Sequence, residues 1–212
     1  MQKRVVAIST THGSEGRRIG GLVSQLLEFG YVDEQIITIA AEKRGIDPEV
    51  VADAEKRKSL VLRVLEGLGE GGAGSGAIGG GPMWVPDDSS ELARSYDLRS
   101  LIIEAIRETA SRGDVVIVAH AASFALAGRE DLLRVFVTAP LEARVRRIAQ
   151  LPELDDAQAE REVKRSDTAR ADYLKRFYGV ERELPTHYDL VVNSEVMEPE
   201  TAAGVIARAV EG

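Results

Sequence analysis

Cysteine is absent from the 212 residues. Disulfides, thiolate-bound zinc, iron–sulfur clusters and cysteine nucleophiles are excluded with it. Histidine is nearly as scarce: His12, His120 and His187 lie far apart in sequence, which leaves little material for a metal site, and no metal ligand is expected among the side chains. No apolar run approaches the roughly 18 residues that a membrane span needs, so no membrane contact is expected. The opening residues MQKRVVAIST pass from basic residues straight into a strand-like run, with no long apolar segment and no small-residue cleavage site. The expectation is a cytoplasmic protein without a secretory leader. Surplus basic charge is lacking too: 27 Lys and Arg stand against 35 Asp and Glu, for a net charge of −8 and a pI near 5.1. That balance argues against nucleic acid as a partner, while a small anion in a local basic pocket remains compatible with it.

What is present is ordinary for a folded domain, 44% hydrophobic and 29% charged. The length suits one domain, taken as 1–212. Short apolar, β-branched runs at 4–9 (RVVAIS), 114–121 (DVVIVAHA), 132–140 (LLRVFVTAP) and 188–194 (YDLVVNS) read as four buried strands. Helical spacing follows the first of them to about Gly30, and recurs over 33–44, 47–66, 89 or 90 to 112, 141–151, 155–178 and 199–212. Strands alternating with helices predict an α/β fold, a three-layer sandwich with a central, mainly parallel sheet flanked by helices. Between Gly69 and Pro82, eight of fourteen residues are glycine, so 69–88 reads as a flexible flap.

Ligands of open α/β sheets gather at the carboxyl ends of the strands. There the first strand delivers HGSEGRRIG, residues 12–20. Gly13 and Gly16 permit close backbone approach, Ser14 offers a hydroxyl, and the following helix presents free amides and a positive dipole. Arg17 and Arg18 stand at that helix start, where a cation opposes the dipole by about 0.3–1 kcal/mol. A polyanion would neutralise them; a tight turn with solvated arginines is the plainer alternative. The Walker A pattern GxxxxGK[ST] is not present: in an ungapped alignment Gly16 occupies the lysine position. Asp167 and Arg170, three apart on a helix, could simply pair with each other. Tyr173 suits core or hinge packing, His120 a satisfied strand end, and Trp84 an anchor for the flap. Glu42, Asp53 and Glu55 take no assignment.

AISTTHGSEGRRIGGLVSQLLEFGY resembles the opening of the cytidylate kinase-like family of P-loop proteins, whose loop reads S-x-x-x-G-S-G-G-R-x-I. IVAHAASFAL, VFVTAPLEARVRRI, and KRSDTARADYLKRFYG followed by HYDLVVNS resemble its later segments in the right order. The resemblance implies a P-loop kinase fold with a helical lid at about 150–185, binding ATP with Mg2+ held mainly through the nucleotide phosphates. ATP would lie on Gly13, Ser14, Glu15, Gly16, Arg17 and Arg18. Arg17, with Arg165 and Arg170 from the lid, would serve transfer. His120, Asp167, Arg170 and Tyr173 would meet a nucleoside monophosphate, CMP or dCMP. Arg144 and Arg147, on one helix face, would support the donor nucleotide. Two alternatives stand beside this reading, a nucleotide-binding protein with little or no turnover and a kinase for another small acceptor. Small nucleotides are the expected partners, and an oligomer is compatible with the sequence.

Overall fold

The computed structural model describes residues 3–33, 36, 88–118, 121–150 and 154–212, with backbone alone for 88–99. The chain divides into two compact units, Met1–Ile36 with Ala105–Gly212, and Ile37–Glu104. The expected helices at 33–44 and 47–66, nearly all of the expected flap at 69–88, Trp84, Glu42, Asp53, Glu55 and His120 lie outside the described residues.

In the first unit the strands are β1 (Val5–Thr10), β2 (Gly30–Val32), β3 (Val115–Val118), β4 (Leu132–Thr138) and β5 (Leu190–Asn193). They form one sheet in the order β2-β3-β1-β4-β5. Every pairing is parallel, so the expected mainly parallel sheet is parallel throughout, and its strands number five rather than four. The helices are α1 (Gly16–Leu27), α2 (Asp88–Ser111, which continues into the second unit), the single turn α3 (Ala122–Ala125), α4 (Leu141–Ile148), α5 (Asp156–Tyr178) and α6 (Pro199–Glu211). No helix among the described residues is long and apolar enough to cross a membrane.

β1 is central because both its faces are apolar: Val5, Val6, Ala7 and Ile8 are each at most 1% exposed, between β3 and β4. Val6, Ile8, Val116, Val118, Val135 and Val137 point to one face. There they meet Ile19 and Val23 of α1 and Ala202, Ala203, Ile206 and Val210 of α6. Burying each Val or Ile contributes about 1.5–3 kcal/mol. A Cβ on Gly20 would lie 2.4 Å from Val118 Cγ2, so glycine lets α1 settle close on β3.

The helix expected to run to Gly30 stops at Leu27, because Glu28 takes a left-handed conformation and its amide turns back to Gln25 and Ser24 carbonyls. The chain then enters β2, where the Gly30 amide bonds the Asp114 carbonyl. α5 matches its expected span. Asp155 and Gln158 form a reciprocal capping box at its start, and Gly179, left-handed, ends it. Its buried Ala159 and Val163 pack with Ile148, Leu141 and Val145 of α4.

Candidate functional site

The carboxyl ends of β1, β4 and β5 are tied together. The Thr11 amide bonds the Val137 carbonyl at 3.2 Å, Thr11 Oγ1 bonds Thr138 Oγ1 at 3.1 Å, and the Ser194 amide bonds the Thr138 carbonyl at 2.9 Å. On this platform residues 11–15 turn from β1 into α1. Ser14 is wholly buried. Its hydroxyl serves the loop itself, lying 2.7 Å from the Thr11 carbonyl, 3.0 Å from the Val137 carbonyl and 2.8 Å from Thr10 Oγ1. Gly13 has φ +82°, and a Cβ there would lie 2.9 Å from the Arg144 carbonyl oxygen. A Cβ on Gly16 would lie 2.2 Å from Thr10 Oγ1. Both glycines are therefore demanded by space, against Arg144 and Thr10 of the protein itself.

Two guanidinium groups hold the loop from behind. Arg144, 6% exposed, donates from Nε to the Ala139 carbonyl at 3.0 Å and from NH1 to the His12 carbonyl at 3.2 Å. The same fork binds Asp167 through two bonds of 2.9 and 2.7 Å. Arg147 donates to the Gly13 carbonyl at 3.2 Å and to Ser194 Oγ at 3.2 Å, and also to the Ser194 carbonyl. Each carbonyl taken by an arginine turns its peptide unit in the opposite sense, N–H away from the guanidinium. The first intrahelical bond of α1 runs from Ile19 N to Glu15 O, at 3.0 Å. Amides of the first turn thus have no partner within the helix and carry the positive end of its dipole.

Glu15 occupies the N-cap with φ 60° and ψ 17°, and its side chain makes no cap bond. A left-handed residue with a Cβ costs about 1–2 kcal/mol. It stands where the loop pattern S-x-x-x-G-S-G-G-R-x-I has its second glycine. Its carboxylate pairs with Arg18 NH1 at 3.2 Å and with Arg147 Nε at 3.4 Å. Arg18 also reaches Glu200 at the start of α6, 2.8 Å away. Arg17 is exposed on the first turn of α1.

The lid-side residues take partners the sequence did not foretell. Asp167 and Arg170 do not serve one another: Asp167 goes to Arg144, and Arg170 makes two bonds of 2.9 and 2.6 Å to Glu183. Tyr188 donates its hydroxyl to the same Glu183 carboxylate. Burial favours a neutral Glu183, but the hydrogen bonds and charge of Arg170 prevail and hold its carboxyl below the ordinary range. Burial and then the Glu183 carboxylate push the Tyr188 phenol well above its usual value. Arg170 also lies 5.8 Å from the Phe136 ring centre, and Phe136 stacks on Tyr188 at 5.0 Å. Tyr173 packs against Phe177 at 4.9 Å. Arg165 is half exposed and pairs with Glu162 on its own helix, apart from this cluster. A cavity of about 270 Å³ opens between the end of β1 and α5, with Thr11, Asp167, Arg170, Leu174 and Glu183 among its walls.

The structure thus brings Gly13, Ser14, Glu15 and Gly16 into one loop, with Arg17 and Arg18 on its helix, and places Asp167, Arg170 and Tyr173 on α5. Glu183 and Ser194 were not singled out by sequence. Glu183 lies beyond the Gly179 stop, where the chain reverses alongside α5, and helical spacing carries no signal for that. Arg144 and Arg147 were noticed for their shared helix face, but as nucleotide supports rather than as struts of the loop.

The sequence model of the cytidylate kinase-like family matches residues 5–196. A cytidylate kinase of Methanopyrus kandleri is 26% identical over 135 residues, covering 60% of this chain and 67% of that protein. One of Ignicoccus hospitalis is 35% identical over 112 residues, covering 53% of this chain and 63% of that protein. The alignments therefore span about two thirds of these relatives. Among solved structures, a protein from Eubacterium ventriosum superposes with a TM-score of 0.67 at 14% identity, each chain covered to 99%. A shikimate kinase from Bacteroides thetaiotaomicron does so with a TM-score of 0.52 at 13% identity, again covering 99% of each. Both superpositions support the fold, a five-stranded parallel sheet of the P-loop kinase type with flanking helices. The chain belongs to the cytidylate kinase-like family.

Proposed function

We propose that this member of the cytidylate kinase-like family is a nucleotide kinase that transfers the γ-phosphoryl group of ATP to a nucleoside monophosphate, CMP or dCMP by preference. The observation that carries the reading is the loop 11–15. It is braced from behind by Arg144 and Arg147 on its own carbonyls, and it opens into the first turn of α1 at the centre of the sheet.

Phosphoryl transfer asks little covalent chemistry of a protein. It asks for positive charge around the moving group and for two substrates held in line. The loop amides and the α1 dipole would receive the donor phosphates, with Arg17 and Arg18 beside them. Magnesium would arrive with ATP, held chiefly by phosphate oxygens and water, and would neutralise charge between the β- and γ-phosphates. An oxygen of the acceptor phosphate would attack the γ-phosphorus in line, ADP would leave, and a nucleoside diphosphate would form. On the lid side Arg170 would exchange its bidentate carboxylate, Glu183, for phosphate oxygens, a like-for-like replacement for a planar fork. Asp167 and Tyr173 share the helix that would face the acceptor. Arg165, paired on its own helix, would have to turn to take part. His120, outside the described residues, is assigned to the acceptor by the family resemblance.

One observation favours a second reading, a protein that binds nucleotide with little turnover: Arg18 is engaged by Glu15 and Glu200. The test offers CMP, dCMP, UMP, AMP and GMP separately to purified protein with ATP and magnesium, with nucleotides resolved by chromatography. A new diphosphate from a pyrimidine monophosphate is the expected result. No diphosphate from any acceptor, while ATP still raises the unfolding temperature, would favour the second reading. R170A is expected to lower turnover by about 100-fold or more, and unchanged turnover would remove Arg170 from the reaction.

A further inference from the structure

The loop contains a negative charge where an anion site would be expected to have none. Glu15 caps α1, its carboxylate faces Arg18 and Arg147, and both Glu15 and Arg147 are only about a quarter exposed, at 27% and 26%. Its backbone is left-handed, a conformation glycine adopts without strain. Two guanidinium groups with an anion seated between them therefore lie beside a helix N-terminus whose amides that carboxylate does not bond. A phosphate would meet the same two guanidinium groups.

We propose that Glu15 is a resident anion that occupies the donor-phosphate position of the loop, so that a nucleotide binds by displacing its carboxylate from Arg147 and Arg18. The inference rests on the reading of this loop as the donor-phosphate site. Arg147 remains fixed throughout by Gly13 and Ser194, so the exchange involves its Nε edge and the Arg18 fork. Two consequences follow for affinity. The site is neutralised before nucleotide arrives, and the displaced carboxylate stays close to the incoming phosphates, to which it is repulsive.

The experiment measures the dissociation constant of ATP with magnesium by calorimetry for the full chain, for E15Q and for E15G. E15Q removes the charge and keeps a side chain of the same length; E15G also removes the backbone strain. E15Q is expected to bind about tenfold more tightly than the wild type, a difference of about 1.4 kcal/mol, and E15G at least as tightly as E15Q. A wild type that binds, with E15Q equal to it or weaker, would overturn the resident-anion role and leave the proposed function standing. If neither the wild type nor either variant binds ATP while all unfold at normal temperatures, the donor-site reading fails and takes this inference with it.

Discussion

Arg144 on α4 and Arg170 on α5 are both largely withdrawn from water, and they spend their hydrogen bonds on different kinds of acceptor. Arg144 gives two of its four bonds to backbone carbonyls, of Ala139 and His12, and the other two to Asp167. Arg170 gives two bonds to the Glu183 carboxylate and sits near Tyr188 and Phe136. A carbonyl belongs to the path of the chain and cannot leave without reshaping the loop. A carboxylate on a connecting segment is an anion with the geometry of a phosphate edge, and another anion can replace it. Arg144 is thus built in as a strut, whereas Arg170 is held in a form that can be exchanged.

The largest effect should come from removing the strut. R144A strips both carbonyls and the buried part of the Asp167 pair, and is expected to cost on the order of 3 kcal/mol. For a chain of this size that is a fall of roughly 6–12 °C in Tm, read by calorimetry. A Tm within 2 °C of wild type would put Arg144 and Arg170 in the same class and break the contrast.

A smaller effect is expected on the lid side, and it carries a pH signature. Because the native carboxyl of Glu183 lies below its ordinary value of 4.5, its contribution is present in full above that value and is lost as pH falls toward the native one. E183Q should lower Tm by an amount worth about 1 kcal/mol at neutral pH, with the gap to wild type closing on the acid side. The Tyr188 phenol contributes with the opposite sign: raised in the native state, it adds stability below about pH 10 that is lost as pH climbs further. A gap between E183Q and wild type that is constant from pH 3 to 7 would show that Glu183 acts through packing rather than charge. The smallest effect belongs to the rim. E200A removes an exposed partner of Arg18 and should leave Tm unchanged within error, since exposed pairs contribute little. A measurable fall would mean that the α1–α6 contact depends on that pair.

The centre of the sheet was legible because β1 and β3 are buried on both faces and write themselves as unbroken apolar runs rich in β-branched residues, VVAIST and VVIV. β2 was not: GYV is three residues long, follows a helix whose apolar spacing runs on into Phe29, and is marked only by the left-handed Glu28. At the site, sequence spacing set residues 12–20 after the first strand and put Asp167 and Arg170 on one helix, because each is local. It could not supply their partners. Arg144 to His12 and Arg170 to Glu183 are pairings set by how α4 and α5 pack, across separations of 132 and 13 residues. The bidentate Arg144–Asp167 pair replaces the i,i+3 contact that spacing within α5 offered, because Arg170 is drawn to Glu183 on the reversing chain.

The internal use of the Ser14 hydroxyl has a thermodynamic consequence for whatever anion the loop accepts. Fixing the backbone of one residue takes about 1–2 kcal/mol of conformational entropy. Across residues 11–16 that ordering is completed when β1 and β4 come together, through Ser14 on the Thr11 and Val137 carbonyls and the arginines on His12 and Gly13. Under the proposed function an incoming ligand would meet a cradle whose shape was settled by folding, and its binding energy would go into the contacts it makes rather than into arranging the chain that makes them.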